Sequence, residues 1–480
     1  MFMSNEYLKS ILITTLFLFL VATIMSAGCI GGSDDAGLEE PTQKSSHIIV
    51  IQPPSYCEKP GRDCPESGYL WNNNYNHLII QKPGEYEFAN TRFPDKFDIT
   101  IERDIQEEIT IDGRGVIINR INGHRFLNLK NVRIETSNFD YVHGFGITEC
   151  NNIVDSSILV RGSTNVISSA FGIFDLYGNM ERTKITVTLT GSSTGPWGVY
   201  SSATGVMWLH GTISSGEITA ISPGYASGVD TVMDGATISG GTFTATSLTD
   251  FVGVDRLFAI IFKSEFTTHP FGKKIASGVS QLSGTISGGE FTVTADENAY
   301  GVGDVSGKIS GGEFTVTAGE DARGVGIVLG DISGGEFTVF GKEAYGFGFV
   351  NTDGRISGGT FWSIGWNQAY GIGQISSLAA LEKMLIGGTI NAWSSTKYAT
   401  IAIGITTLTG ADVSPYTFTA PTSGEQYTGE ATEYTINDAM LRTIYSTKAT
   451  PAPTQAAPGF GVLFAFAGLG VAALFGRRQN

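Results

Sequence analysis

Ten letters occur twice in this chain: Ile286 to Ala295 reads I-S-G-G-E-F-T-V-T-A, and Ile309 to Ala318 repeats it. Ile332 to Val339 continues with I-S-G-G-E-F-T-V and Ile356 to Phe361 with I-S-G-G-T-F, so the leading isoleucines stand 23, 23 and 24 residues apart. A period of that length in a chain with 63 glycines and many β-formers is one turn of a solenoid. Within a copy, Phe291, Val293 and Ala295 alternate with Thr292 and Thr294, the period of two that marks a strand with one buried face. Gly288-Gly289 and Asp296-Glu297-Asn298 supply the turns. With two or three short strands per turn, the prediction is an all-β chain wound as a parallel β-helix. Its turns would lie about 4.8 Å apart, with equivalent residues stacked in columns.

A looser signature, a small or aromatic residue, then a glycine, then an aliphatic residue or Phe, carries the period further. It places glycines at 146, 172, 198, 228, 253, 278, 301, 324, 346 and 371, with nine intervals that average 25 residues and a longest of 30. The aromatic position of G-E-F is tracked in phase through Ile218, Phe243, Phe266, Phe291, Phe314, Phe337, Phe361 and Ile390. A propeller blade needs about 40 to 50 residues, and a leucine-rich repeat needs a leucine-asparagine framework that is missing here. Helical repeats do not suit the Gly, Thr and β-branched content, which leaves a sandwich of ordinary hairpins as the rival fold.

The segment Ile99 to Ile118, with I-T-I-D-G-R-G-V-I-I, resembles the entry coils of the pectate-lyase-like superfamily of right-handed β-helices. That likeness implies a right-handed helix over 99–405, about a dozen turns, with an N-terminal cap at 47–98 and a C-terminal cap at 406–446. In the latter, Asn437 ahead of 438–444 has the form of a helix N-cap.

The ends speak of location. Residues 1–28 hold Lys9 and an apolar stretch from Ile11 to Met25, the form of an export signal. Ser26-Ala27-Gly28-Cys29 resembles a lipobox, with Ser26 where that motif usually has Leu; this implies a lipid on Cys29, and plain cleavage near Ala27 is the alternative. A polar linker fills 29–46. A Thr, Pro and Ala stalk at 447–457 leads to Pro458-Gly459-Phe460, an apolar run and Arg477-Arg478. Together 458–480 resemble the PGF-CTERM sorting signal of archaeal surface proteins, which implies a sorting enzyme as partner and transfer to a membrane lipid anchor; left uncleaved, the apolar run is a transmembrane segment and itself the anchor. Both readings put the β-helix on the extracellular face of the membrane. Cys57 and Cys64 bracket a six-residue loop and suit a disulfide in an exported chain, while Cys150 is left as a buried apolar residue.

The net charge of −16 and the lack of a basic stripe argue against nucleic acid as a partner. The superfamily includes polysaccharide lyases and hydrolases, and pectin hydrolysis there uses an adjacent Asp pair with Gly-His-Gly and Arg-x-Lys. Here the only Asp-Asp is Asp34-Asp35 in the linker, and His143-Gly144 lacks the preceding Gly. The residual catalytic candidates are Asp112, Asp140, His143, Asp155 and Asp175, with Arg120, His124 and Arg125 nearby in sequence. Turn capping is the competing role for them.

In the regular half, Glu265, Glu290, Glu313 and Glu336 share one repeat position. Stacked one turn apart they repel by about 1 kcal/mol per pair in water, which spreading and salt offset, or bound cations, with Ca²⁺ favoured by its oxygen preference. A second column, Tyr300, Arg323, Tyr345 and Tyr370, is either a packed ladder or a ledge for sugar rings. The repeat regularity points to an anchored, non-catalytic structural or adhesive surface protein, contacting polysaccharide or other surface proteins. The alternative is a surface polysaccharide lyase or glycoside hydrolase acting from the irregular N-terminal coils.

Overall fold

The computed structural model of the chain describes residues 48–54, 68–403 and 431–444. Within these it leaves out the short segments 138–142, 194–200, 248–249, 262–263, 271–274, 376–383, 395–399 and 437–438 and the single positions 73, 75, 95, 166 and 259. The chain divides into two compact units, Met1–Ser46 and His47–Asn480, and every described residue belongs to the second. The export signal, Cys29, the Cys57 and Cys64 pair, Asp140, the stalk and the sorting signal all lie outside the described residues.

The described chain is an all-β parallel solenoid with almost no helix. One turn in the middle shows the plan: Ser169–Leu176 forms a first face, Asn179–Glu181 a second and Thr183–Thr190 a third. The next turn repeats them as Ser202–Leu209, Thr212–Ile213 and Gly216–Ser222, each parallel to its counterpart. In the regular half the second and third faces fuse into one bent strand, Thr285–Ala295, with register shifts at Ser287. The bend is where the second glycine of I-S-G-G stands: Gly289, Gly312, Gly335 and Gly359 have φ of 106°, 105°, 98° and 95°. A side chain there would strain the backbone, which is why the letter does not change from copy to copy.

Three interior columns carry the fold. The leading isoleucine of the repeat belongs to a column that starts at Tyr86 and continues with aliphatic residues and Met180, through Ile111, Leu129, Ile153, Ile213, Ile238 and Ile261 to Ile286, Ile309, Ile332 and Ile356. All of these are buried. On the third face, Ile158, Ile185 and Ile218 give way to Phe243, Phe266, Phe291, Phe314, Phe337 and Phe361, the series tracked in the sequence. The rings stack face to face at 4.5, 4.8, 4.5, 4.3 and 4.5 Å between centroids.

Facing them across the interior is the glycine column. A Cβ on Gly278 would lie 3.2 Å from Phe291 Cδ1 and 2.7 Å from the Gly301 carbonyl oxygen; one on Gly324 would lie 3.2 Å from Phe337 Cδ1 and 2.8 Å from Gly346 O. In the earlier turns the intruder is aliphatic, with Ile185 Cγ2 at 2.3 Å from the Cβ position of Gly172.

Two expectations are corrected. Phe171 pairs with Thr204 and Ile173 with Val206, so Gly205, and not Gly198, follows Gly172 in the glycine column. Both glycines precede a valine; a longer connection ahead of Ser202–Leu209 shifts the phase, making that interval 33 residues. Second, Ala439–Ile444 is a strand rather than a helix. It runs antiparallel to Ala431–Ile436 and parallel to Leu385–Ser394, placing Leu441 beside Ile390, and pairing with the last turn overrides the local capping pattern. At the other end, Ile49–Ile51 and His77–Ile80 already stack in parallel on later strands, and Tyr69–Trp71 adds one antiparallel pair.

Phe314→Ala removes a ring held between two others and is expected to cost about 3–5 kcal/mol. Gly324→Ala should cost about 1–3 kcal/mol through overpacking against Phe337. Urea unfolding of the full chain checks both, and Phe314→Leu should fall between wild type and Phe314→Ala.

Candidate functional site

The described residues among those singled out for catalysis do not share a site. Asp112 Oδ1 accepts from the Arg114 backbone N–H and from Asn131 Nδ2, both at 3.1 Å, and so caps the corner after Ile109–Asp112. Asp155, at a left-handed φ of 50°, accepts from Arg182 Nε at 2.7 Å and Nη2 at 3.1 Å. That guanidinium holds its carboxyl below the usual carboxylate range. Arg120 is paired with Asp98 at 2.8 Å, and Arg125 lies over the Phe126 ring. His124 packs near the same ring, with Nδ1 buried and without a partner among the described residues.

His143 and Asp175 are both on the first face but at opposite ends of it. His143 pairs with Ser169, six residues and on the order of 20 Å before Asp175. Asp175 is buried, and burial pushes its carboxyl up; His210 Nε2 lies 3.2 Å from Oδ1 and acts against that rise. Tyr177 stacks on His210 at 4.6 Å. Cys150, next to this carboxyl, is fully buried and unpaired, and burial drives its thiol far above the ordinary range, so it serves as core.

The outer surface of the first face is where polar and aromatic groups concentrate. One outward column runs Phe145, Phe171, Thr204, Ser227 and, further along, Ser277, Tyr300, Arg323, Tyr345 and Tyr370. At its early end Phe145, Phe171, Phe174 and Trp208 form one cluster with centroid spacings of 5.3 to 5.5 Å, and His143 sits at its rim. At its late end Arg323 lies 5.6 Å from the Tyr300 ring centre and 5.2 Å from that of Tyr345, which stacks on Tyr370 at 4.7 Å. The column inferred from the sequence is thus a real ladder. Two of its hydroxyls are tied down: Tyr345 donates to Glu343 and Tyr370 to Gln368.

Between the two aromatic ends lies a carboxylate pair that the sequence reading missed. Val229 pairs with Val254 and Thr231 with Arg256, so Asp230 and Asp255 stand opposite each other one turn apart. Asp230 is buried and accepts from Thr231 Oγ1 at 3.0 Å; burial, helped by Asp255, pushes its carboxyl up. Asp255 has Arg256 at 3.5 Å. The buried Tyr225 phenol lies beside the Ser227 hydroxyl, which itself donates to the Val229 carbonyl at 2.8 Å; among the described residues no well-aligned partner meets the phenol oxygen. The signal was available as Gly228-Val229-Asp230 and Gly253-Val254-Asp255, the same triplet in consecutive turns.

The glutamates at 265, 290, 313 and 336 also stack as read, exposed on the third face. Burial and then the charges of Glu290 and Glu336 raise the Glu313 carboxyl. Among the described residues no three His, Cys, Asp or Glu side chains group so as to hold a metal ion, these glutamates included. No protein-family model, curated protein or solved structure matches this chain.

Asp230 and Glu313 titrate higher in the folded chain than in the unfolded one. Each therefore favours folding below the ordinary carboxylate range, near pH 4, and loses that contribution as pH rises through its raised value. Asp230→Asn, which keeps an oxygen for Thr231, should raise the thermal midpoint at pH 7 and leave it unchanged at pH 3. Glu313→Gln should do the same, with a gain that shrinks in high salt. Calorimetry across pH and salt checks both.

Proposed function

We propose that the chain is an anchored cell-surface protein with a structural or adhesive role and no catalytic one. The observation that carries this is the scattering of the described catalytic candidates read from the sequence. Asp112 is occupied in capping a corner, Asp155 is paired with Arg182, and Asp175 and His143 are separated by the length of a strand. Hydrolysis of a glycosidic bond needs two carboxyl groups about 5 to 9 Å apart across one bond, and elimination needs a base beside a stabilising cation. The interior columns supply a long, regular support instead.

The location rests on the chain ends: an export signal at 1–28, lipidation at Cys29, and sorting through Pro458, Gly459 and Phe460 before Arg477-Arg478. Among the described residues no helix is long and apolar enough to cross a membrane, and the apolar run of 458–480 lies outside them. In this reading the partners are a sorting enzyme, a membrane lipid, and the polysaccharide or surface protein that the solenoid meets.

One observation favours the alternative of a polysaccharide lyase or hydrolase: Asp230 and Asp255 are adjacent, and one of them is held toward its protonated form. Incubating the purified full chain with acidic and neutral polysaccharides decides between the two. The expected outcome is no release of reducing or unsaturated ends; release that disappears in Asp230→Asn would overturn the non-catalytic reading. For location, the protein should partition with membranes and be exposed to protease on intact cells. Cys29→Ser and replacement of Pro458-Gly459-Phe460 by alanines, singly and together, identify which end holds it. Retention of the double variant on the membrane would remove both anchors from the proposal.

A further inference from the structure

The outward ladder on the first face ends abruptly. Tyr300 follows Ser277 in the column, so one turn presents a ring and the turn before it a hydroxymethyl group. Arg323 covers one side of the Tyr300 ring, which leans far enough toward the later turns that its Cδ1 lies 3.2 Å from where a Cβ on Gly326 would be. Beside the ring lies a notch of about 260 Å³, lined by Ser277, Ser280 and Gln281 of the preceding turn, by Asp304 of its own turn and by Arg323 and Gly326 of the next. Ile275 and Ile327, 42% and 36% exposed, form its apolar edges.

The charges around the notch narrow what can enter. Arg323 is the nearby cation, and its guanidinium is spent on Asp321, with Nε at 3.1 Å and Nη2 at 2.5 Å. Among the described residues an anion would therefore meet the Asp304 carboxylate while Arg323 is held by Asp321 and Arg256, beside Gln281, is drawn to Asp255. A cation would compete with Arg323, which already stands over the same ring. Burial raises the Asp304 carboxyl, and no cation or hydrogen-bond donor among the described residues acts against that rise. What remains is a neutral group with one apolar face for the ring and a rim of hydroxyls for an acceptor and a donor-acceptor amide.

We propose that the step from Ser277 to Tyr300 is a binding notch for a single neutral hexopyranose unit of a glycan. The sugar's C–H face stacks on Tyr300, its hydroxyls donate to Asp304, and Gln281 both donates to and accepts from them. The volume suits one ring, so longer chains would enter by one residue and run along the sheet face. This names a ligand class for the adhesive role above and rests on that reading for its biological meaning, though not for the binding itself.

Titration calorimetry of the full chain with methyl glucopyranoside, mannopyranoside and galactopyranoside, and with their disaccharides, provides the test. At least one should bind saturably. Ser277→Tyr continues the ladder by one ring and fills the notch, and Tyr300→Ala removes the platform; each should weaken binding about tenfold or more, the loss of one stacking interaction. Gln281→Ala, at an exposed position, should weaken it without touching the core, and serves if Ser277→Tyr does not fold. Tyr345→Phe, outside the notch, should bind as wild type.

Absence of saturable binding to every sugar, or binding untouched by both Ser277→Tyr and Gln281→Ala, overturns the notch. Adhesion of cells to glycan-coated surfaces separates this from the broader reading. Adhesion that persists undiminished in cells carrying Ser277→Tyr counts against the notch alone. Adhesion equal with and without the protein, while the purified chain still binds sugar, leaves the notch and overturns the adhesive role.

Discussion

The later turns of the solenoid depend on one contact repeated: a phenylalanine ring lying flat on the ring of the turn before, with a glycine across from it. Stacking at 4.3 to 4.8 Å matches the spacing of parallel strands, so ring packing and backbone hydrogen bonding favour the same separation between turns. The ring fills the space that a side chain on the facing glycine would need. Where the column is isoleucine, at 158, 185 and 218, the same glycine position meets Cγ2 atoms instead. Ring and glycine are thus two halves of one constraint, and a change at either is felt by both adjacent turns.

That coupling explains which parts of the chain were legible. Phe243 to Phe361 and Ile286 to Ile356 could be placed from letters alone because each residue answers to its equivalent one turn away. Gly198, with the aromatic Trp197 ahead of it and Val199 behind, fits the local signature better than Gly205 after Thr204, yet strand pairing puts Gly205 in the column. Residues 439–444 carry a cap-like Asn437 ahead of them, and yet Leu441 is drawn into the column of Ile390. Local signals fail where an element is decided by what it stacks upon.

The outer surface was harder to read, and for a physical reason. Inside, one register satisfies every turn, so the pattern repeats; outside, nothing forces equivalence, and each turn is free to differ. Asp230 and Asp255 are a case in point. They are adjacent in space because the period is 25 there, whereas a search for neighbouring carboxylates looks for residues adjacent in sequence. Asp155 shows the reverse: an acid among irregular turns suggests chemistry, but its partner Arg182 lies one turn on and its task is a corner.

A solenoid has few ways to make a concave site, since its walls are flat and its strands are in register. Loops grown at the corners are one way. A change of side-chain size within an outward column is another, and needs no change in the backbone at all. Replacing a ring by a serine in one turn exposes a ring face in the next and opens a hollow one turn deep, while the interior columns continue undisturbed beneath it. Ser277 and Tyr300 differ in that way over an unbroken core of Val279 and Val302, both fully buried. The regular half, whose repeats look like pure support, is therefore also able to bear a site, because the rigid core below fixes the geometry of whatever the surface letters spell.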